Sequence, residues 1–145
     1  MKPPVSATED RGARTAEGSG KGRKLLGALG EEAAAEHLER NGYSILERNY
    51  RSRIGEIDII ARHGEDIVFV EVKTRKSSRF GLGEEAVGRQ KQVALARLAA
   101  QYLAQNRLGG LNCRFDVVVI RRTGAPVFEI EHIPNAFGVG GSYTY

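Results

Sequence analysis

The chain has 145 residues, 41% of them hydrophobic, which predicts one domain of roughly 100–125 ordered residues around a modest core. No apolar run approaches the roughly 18 residues of a membrane span, and the N-terminus lacks the apolar stretch of a secretory signal. A lone cysteine, Cys113, leaves no internal disulfide to form and fits a reducing cytoplasm, so a cytoplasmic location is expected. The net charge of +4 is concentrated at one end: residues 1–24 hold six Lys/Arg against three Asp/Glu, and the remainder is close to neutral. Bulk charge therefore does not establish a basic nucleic-acid-binding face.

Residues 1–20 combine Pro, Ser, Gly, Thr and charges with almost no large apolar side chain, and are expected to form a disordered basic tail. The folded domain is expected over 21–133. From Arg23 to Asn41, Leu25, Leu26, Leu29, Ala33 and Leu38 recur at helical steps, with Asn41-Gly42 as a stop. Tyr43 to Arg51, Ile54 to Arg62 and Ile67 to Thr74 read as strands, the last two joined by a turn at His63-Gly64-Glu65-Asp66. Residues 75–84 are polar and glycine-containing, which predicts a mobile loop. Glu85 to Asn106 is a second amphipathic helix, its buried stripe supplied by Val87, Val93, Leu95, Leu98, Ala99, Tyr102 and Leu103. Phe115 to Arg121 and Val127 to His132 are two further strands, and 134–145 is a loosely held glycine-rich tail. The expected architecture is α/β, a central mixed sheet of about five strands flanked by helices in the order α-β-β-β-α-β-β.

Ionised side chains inside an apolar sheet are costly unless they bind something, and two neighbouring strands carry several. A tight turn at Gly64-Glu65 sets Asp58 opposite Glu71 and Glu56 opposite Lys73, all four on one face because their spacings are even. That face also carries Ile60, Ile67 and Phe69, and the other carries Ile57, Ile59, Val68, Val70 and Val72, so the hairpin is expected to be central and covered on both sides. Two carboxylates at cross-strand distance repel unless a cation sits between them. Mg²⁺ or Mn²⁺, held by Asp58 and Glu71 with water and phosphate oxygens, resolves the conflict, with Lys73 beside it. The plain alternative is a cross-strand ion-pair patch.

The strings Gly55-Glu56-Ile57-Asp58 and Val68-Phe69-Val70-Glu71-Val72-Lys73-Thr74-Arg75 resemble the core of the PD-(D/E)xK nuclease superfamily, with its restriction-endonuclease-like fold. More narrowly, the chain resembles the YraN (UPF0102) family, which is itself similar to archaeal Holliday-junction resolvases. Gly30-Glu31-Glu32-Ala33-Ala34, Gly42-Tyr43-Ser44-Ile45-Leu46 and Arg114-Phe115-Asp116-Val117-Val118 extend the likeness over about 24–132. The resemblance implies that Asp58 and Glu71 bind the metal, that Lys73 is the catalytic lysine, and that Glu32 is an additional catalytic acid from the first helix, with Glu31 its solvent-facing neighbour. It implies a Mg²⁺- or Mn²⁺-dependent endonuclease acting on DNA, branched or otherwise structured, and for symmetric cutting a homodimer. The superfamily's proline-aspartate pair is absent, Ile57 preceding Asp58. The competing expectation is a nucleic-acid-binding or partner-binding module of the same fold without efficient cleavage.

Basic residues near the acids are candidate backbone contacts: Arg51 and Arg53 before them, Arg75 after them, and Lys91 on the second helix, with Arg48, Lys76 and Arg79 nearby. Glu56 is either a further acid of the site or a partner for Lys73. His37, His63 and His132 show no metal-ligand spacing, and Asp116 beside Arg114 reads as structural.

Overall fold

The structure, a computed structural model, describes residues 15–75, 87–122 and 128–138, with side chains from residue 27 onward, Phe128 excepted. Its elements follow the expected order: α1 (Thr15–Arg40), β1 (Ser44–Arg51), β2 (Glu56–His63), β3 (Asp66–Arg75), α2 (Arg89–Gln105), β4 (Cys113–Arg122) and β5 (Phe128–Phe137). The strands form one mixed sheet in sequence order β1-β2-β3-β4-β5. Neighbours are antiparallel except β3 and β4, which run parallel and are joined through α2. Parallel neighbours need such a crossover.

Local chemistry sets the ends of the elements. α1 stops where Gly42 takes φ 90, a left-handed conformation that costs glycine little. The Tyr43 amide then bonds back to the Leu38 carbonyl at 3.0 Å, and Asn41 Nδ2 donates to the His37 carbonyl at 2.7 Å. Gly64, with φ 63, does the same for the tight turn between β2 and β3. That turn sets the predicted register, with Ile59 opposite Val70, Ile60 opposite Phe69 and His63 opposite Asp66.

The sheet is covered on both faces. One core layer packs Ile60, Ile67, Phe69, Phe115 and Val117 against Leu95, Leu98 and Tyr102 of α2. The other packs Ile59, Val68, Val70, Val118 and Ile120 against Ala34, Ala35 and Leu38 of α1. α1 comes in close at Gly30, where an added Cβ would stand 2.8 Å from Thr74 Oγ1 on β3. A side chain there would force the Thr74 hydroxyl to move aside.

Several expectations need correction. α1 begins at Thr15, inside the stretch expected to be disordered; TAEGSGKGRK has no apolar periodicity from which a helix could be read. Residues 1–14 of that predicted tail lie outside the described residues. β5 continues through Pro134 to Phe137, where a loose tail was expected. Proline is tolerated there because β5 is an edge strand, and the pairing is irregular between Phe115 and Val117. The rest of that tail from 139, and loop residues 76–84, lie outside the described residues. Leu29 and Val93, assigned to buried stripes, are exposed. Ile57 packs in the α2-side layer with Ile60, contrary to strict alternation, because regular β2–β3 pairing ends at Ile59–Val70.

Candidate active site

The end of that pairing shapes the site. Past Ile59 the two strands no longer form a ladder, and Asp58 Oδ2 accepts a hydrogen bond from the Val72 amide at 2.8 Å. The carboxylate thus takes the place a strand carbonyl would have filled. Asp58 was expected directly opposite Glu71 and Glu56 opposite Lys73. Instead Asp58 is fastened to the backbone just beyond Glu71, and Glu56 pairs with Arg51 of β1 at 2.9 Å.

Glu71 is 5% exposed and lies on the α2 side of β3. Its Oε2 faces two ammonium groups, Lys91 Nζ of α2 at 3.3 Å and Lys73 Nζ of the same strand at 3.6 Å. Its Oε1 is buried with no hydrogen-bond partner, one of two such side-chain atoms among the described residues, the other being Arg121 Nε. An unpartnered buried carboxylate oxygen is expensive. Asp58 shows the same stress: burial, reinforced by the charge of Glu71 and of Glu31, pushes its carboxyl up to about 7 against the pull of the Val72 amide and of Lys91.

The first helix contributes differently from expectation. Glu32 is 57% exposed and its Oε1 pairs with Arg48 at 3.2 Å. Glu31, expected to face solvent, is the residue coupled to the acids: burial raises its carboxyl, Arg48 opposes this, and Glu56 and Glu71 raise it further. The close approach at Gly30 accounts for the position of its neighbour Glu31. One step of about 100° around a helix separates the two glutamates, and no spacing in α1 alone distinguishes the inward one.

The candidate phosphate contacts divide. Lys91 lies on Glu71, within the acid cluster. Arg51, although paired with Glu56, is mostly exposed and lines an open groove of about 300 Å³ with Ser52, Gly55 and Glu56. Arg53 and Arg75 are exposed, at the β1–β2 turn and at the end of β3. Among the described residues no three His, Cys, Asp or Glu side chains converge as a metal-binding group. The pair Asp58 and Glu71 nonetheless fits a hard divalent ion. Mg²⁺ characteristically uses one or two carboxylates and fills its other positions with water and phosphate oxygen, and the orphaned Oε1 lacks such a partner.

A second polar cluster, with no signature in any local spacing, occupies the α1 side of the sheet. Asp116, fully buried, accepts from His132 Nε2 at 2.8 Å, the Asn135 amide at 2.9 Å, Arg114 Nε at 3.1 Å and Tyr43 Oη at 3.2 Å. Arg114 also reaches Asp66 at 3.0 Å and Tyr43 Oη at 2.7 Å. Tyr43 stacks on His63 with ring centres 4.1 Å apart. Burial works to raise the Asp116 carboxyl, but the bonds from His132, Asn135 and Arg114 hold it below its ordinary value. Burial, then Asp66, push the Cys113 thiol up to about 11, away from the thiolate that a reactive cysteine needs.

No helix among the described residues is long and apolar enough to cross a membrane. The family described as Uncharacterised protein family UPF0102 matches residues 30–120, a stretch that holds α1 from Gly30, all of β1–β3, α2 and most of β4. The chain is 50% identical over 119 residues to a UPF0102 protein of Syntrophotalea carbinolica, covering 82% of this chain and 96% of the relative. Against a UPF0102 protein of Trichlorobacter lovleyi it is 47% identical over 119 residues, 81% of this chain and 94% of the other. A UPF0102 protein of Moorella thermoacetica is 54% identical over 98 residues, 68% of this chain and 82% of that one. This chain belongs to the UPF0102 family.

Proposed function

We propose that the protein is a metal-dependent endonuclease that hydrolyses phosphodiesters in DNA, with Mg²⁺ or Mn²⁺ held by Asp58 and Glu71. The observation that carries this reading is the pair of strained acids: Glu71 keeps a buried oxygen without a partner, and Asp58 is pushed up to about 7 beside it. Charges left in that state are intelligible as half of a binding site. The resemblance of the β2–β3 hairpin to PD-(D/E)xK enzymes and the α-β-β-β-α-β-β order support the same chemistry.

A divalent ion held by these acids would supply Lewis acidity and lower the pKa of a bound water, so that the water could ionise to the hydroxide that attacks phosphorus. The chain's own groups do the rest. The Val72 amide fixes one Asp58 oxygen and so sets the direction of the carboxylate. Lys73, on the strand that carries Glu71, brings a positive charge beside the developing phosphorane or the attacking water. Glu31, rather than Glu32, is the α1 acid placed to influence the pair. Arg51, Arg53 and Arg75 offer exposed cations for the flanking backbone phosphates. A branched-DNA substrate and a homodimer follow from the resolvase likeness and belong to the same proposal.

One observation favours a second reading, a DNA-binding module of the same fold that does not cut: Glu71 already carries two ammonium partners. A single experiment separates the two. Labelled four-way junctions and linear duplex are incubated with the protein in Mg²⁺ or Mn²⁺, beside Asp58→Ala and Lys73→Ala. The nuclease reading expects cuts that both substitutions reduce by about 10²-fold or more. Cleavage by neither metal, or cleavage that survives both changes, removes it, and junction binding without cutting then identifies the module.

A further inference from the structure

Two lysines face Glu71, and they are held differently. Lys73 is two residues along the same strand, so it cannot leave the neighbourhood of the acid while β3 is intact. Lys91 arrives from a separate element, the first turn of α2, and its side chain is 46% exposed. A lysine there is a compact ammonium on a flexible four-carbon stem, able to exchange one anionic partner for another at little cost. Both ammoniums address the same oxygen, Oε2, at 3.3 and 3.6 Å, while Oε1 has none.

Resting on the metal-site reading above, we propose that Lys91 is a movable counter-ion of Glu71 that couples cation binding to phosphate binding. Without metal, Lys91 partly neutralises Glu71. With metal, like charge repels the ammonium from the carboxylate. A substrate phosphate at the same site would then be a new anionic partner for the ammonium. Each ligand therefore helps the other: metal frees Lys91 to bind phosphate, and phosphate draws Lys91 off the carboxylate the metal needs. Linkage requires this coupling to be reciprocal. Lys91 on this account is a positioning residue, and the pair it makes with Glu71 is a resting state. A fixed ion pair sealing the end of the core makes a different prediction: its loss also removes positive charge beside the metal, but it leaves the tightening of duplex binding by a cation where it was.

The test uses the full chain and its Lys91→Met and Lys91→Arg variants. Mn²⁺ alone is titrated by calorimetry, and binding of a labelled duplex is measured with and without Ca²⁺, a hard cation with oxygen ligands like Mg²⁺. Lys91→Met is expected to bind Mn²⁺ about five- to tenfold more tightly than the unsubstituted protein, while the tightening of duplex binding by Ca²⁺ shrinks toward unity. Lys91→Arg, which keeps the charge, stays near the unsubstituted protein in both. Unchanged or weaker Mn²⁺ affinity in Lys91→Met, or an undiminished Ca²⁺ effect on its duplex binding, overturns the inference, even where DNA is cut as proposed. Absence of Mn²⁺ binding in all three proteins overturns the metal site and the inference together.

Discussion

Glu71 and Asp116 are both buried acids on neighbouring central strands, one register step apart, since Glu71 pairs with Val117. They point to opposite faces of the sheet. On the α1 face Asp116 has four partners, from β4, β5 and the loop after α1, and its carboxyl is held below its ordinary value. On the α2 face Glu71 has an oxygen with no hydrogen-bond partner, and its charge helps push Asp58 up to about 7. Two carboxylates at the same depth thus differ in whether the protein itself completes their shells. The first arrangement holds elements together, whereas the second leaves a carboxylate oxygen open, as the proposed cation site requires.

The sharpest way to break this contrast is to remove each acid in turn and measure urea unfolding. Asp116→Ala leaves the part-buried Arg114 and His132 without their shared, fully buried acceptor and is expected to cost about 3–5 kcal/mol, the loss typical of a broken buried pair. Asp58 is expected to behave in the opposite sense. Its carboxyl binds a proton more tightly in the folded chain than in the unfolded one, so its ionisation opposes folding as pH climbs from 3.8 to about 7. The gap is on the order of 4 kcal/mol, so Asp58→Asn is expected to match the unsubstituted protein in stability near pH 4 and exceed it at pH 8. A variant less stable at pH 8 would place Asp58 with Asp116 as a structural acid. The depressed Asp116 carboxyl has the reverse slope, its contribution present above the unfolded carboxylate value and lost as pH falls through the folded one.

Two smaller effects refine the comparison. Gly30→Ala places a Cβ 2.8 Å from Thr74 Oγ1 and is expected to destabilise by about 1–3 kcal/mol, with Thr74→Ala restoring part of the loss. Thermal unfolding of the single and double variants reads this directly. Glu32→Ala removes only an exposed pair with Arg48 and is expected to change stability by less than about 1 kcal/mol and to leave the proposed cleavage unaltered. Glu31→Gln, by contrast, is expected to reduce cleavage. If the Glu32 change proves the damaging one, the rotation of α1 described above is wrong.

Much of the sheet was legible because strand periodicity and turn chemistry act locally. Gly64-Glu65 set a register in which Ile59 meets Val70, and the apolar residues on both faces of β2 and β3 announced a covered hairpin. The site was only half legible. Asp58, Glu71 and Lys73 lie on that hairpin, but where the ladder ends no local rule says that Asp58 will bond to the Val72 amide. Glu31 and Glu32 are adjacent on one helix, and only the contact between Gly30 and Thr74 decides which turns inward. Of the Asp116 network only the structural pairing of Asp116 with Arg114 was legible; Tyr43, His63, Asp66, His132 and Asn135 come from four other segments that no local spacing links. α1 ahead of Arg23 was missed for the opposite reason: it contains no apolar stripe to read.

The arrival of Lys91 from α2 has a kinetic consequence. Asp58 and Glu71 lie on a hairpin closed by a tight turn, whereas Lys91 reaches Glu71 only once α2 has docked on the sheet. Contacts across long sequence separations form late, since their loop-closure entropy must be overcome first. The repulsion between the two acids therefore arises before Lys91 is there to relieve it. Substituting Lys91 is then expected to alter the unfolding rate and leave the folding rate nearly unchanged, while neutralising Asp58 is expected to accelerate folding, as stopped-flow refolding would read.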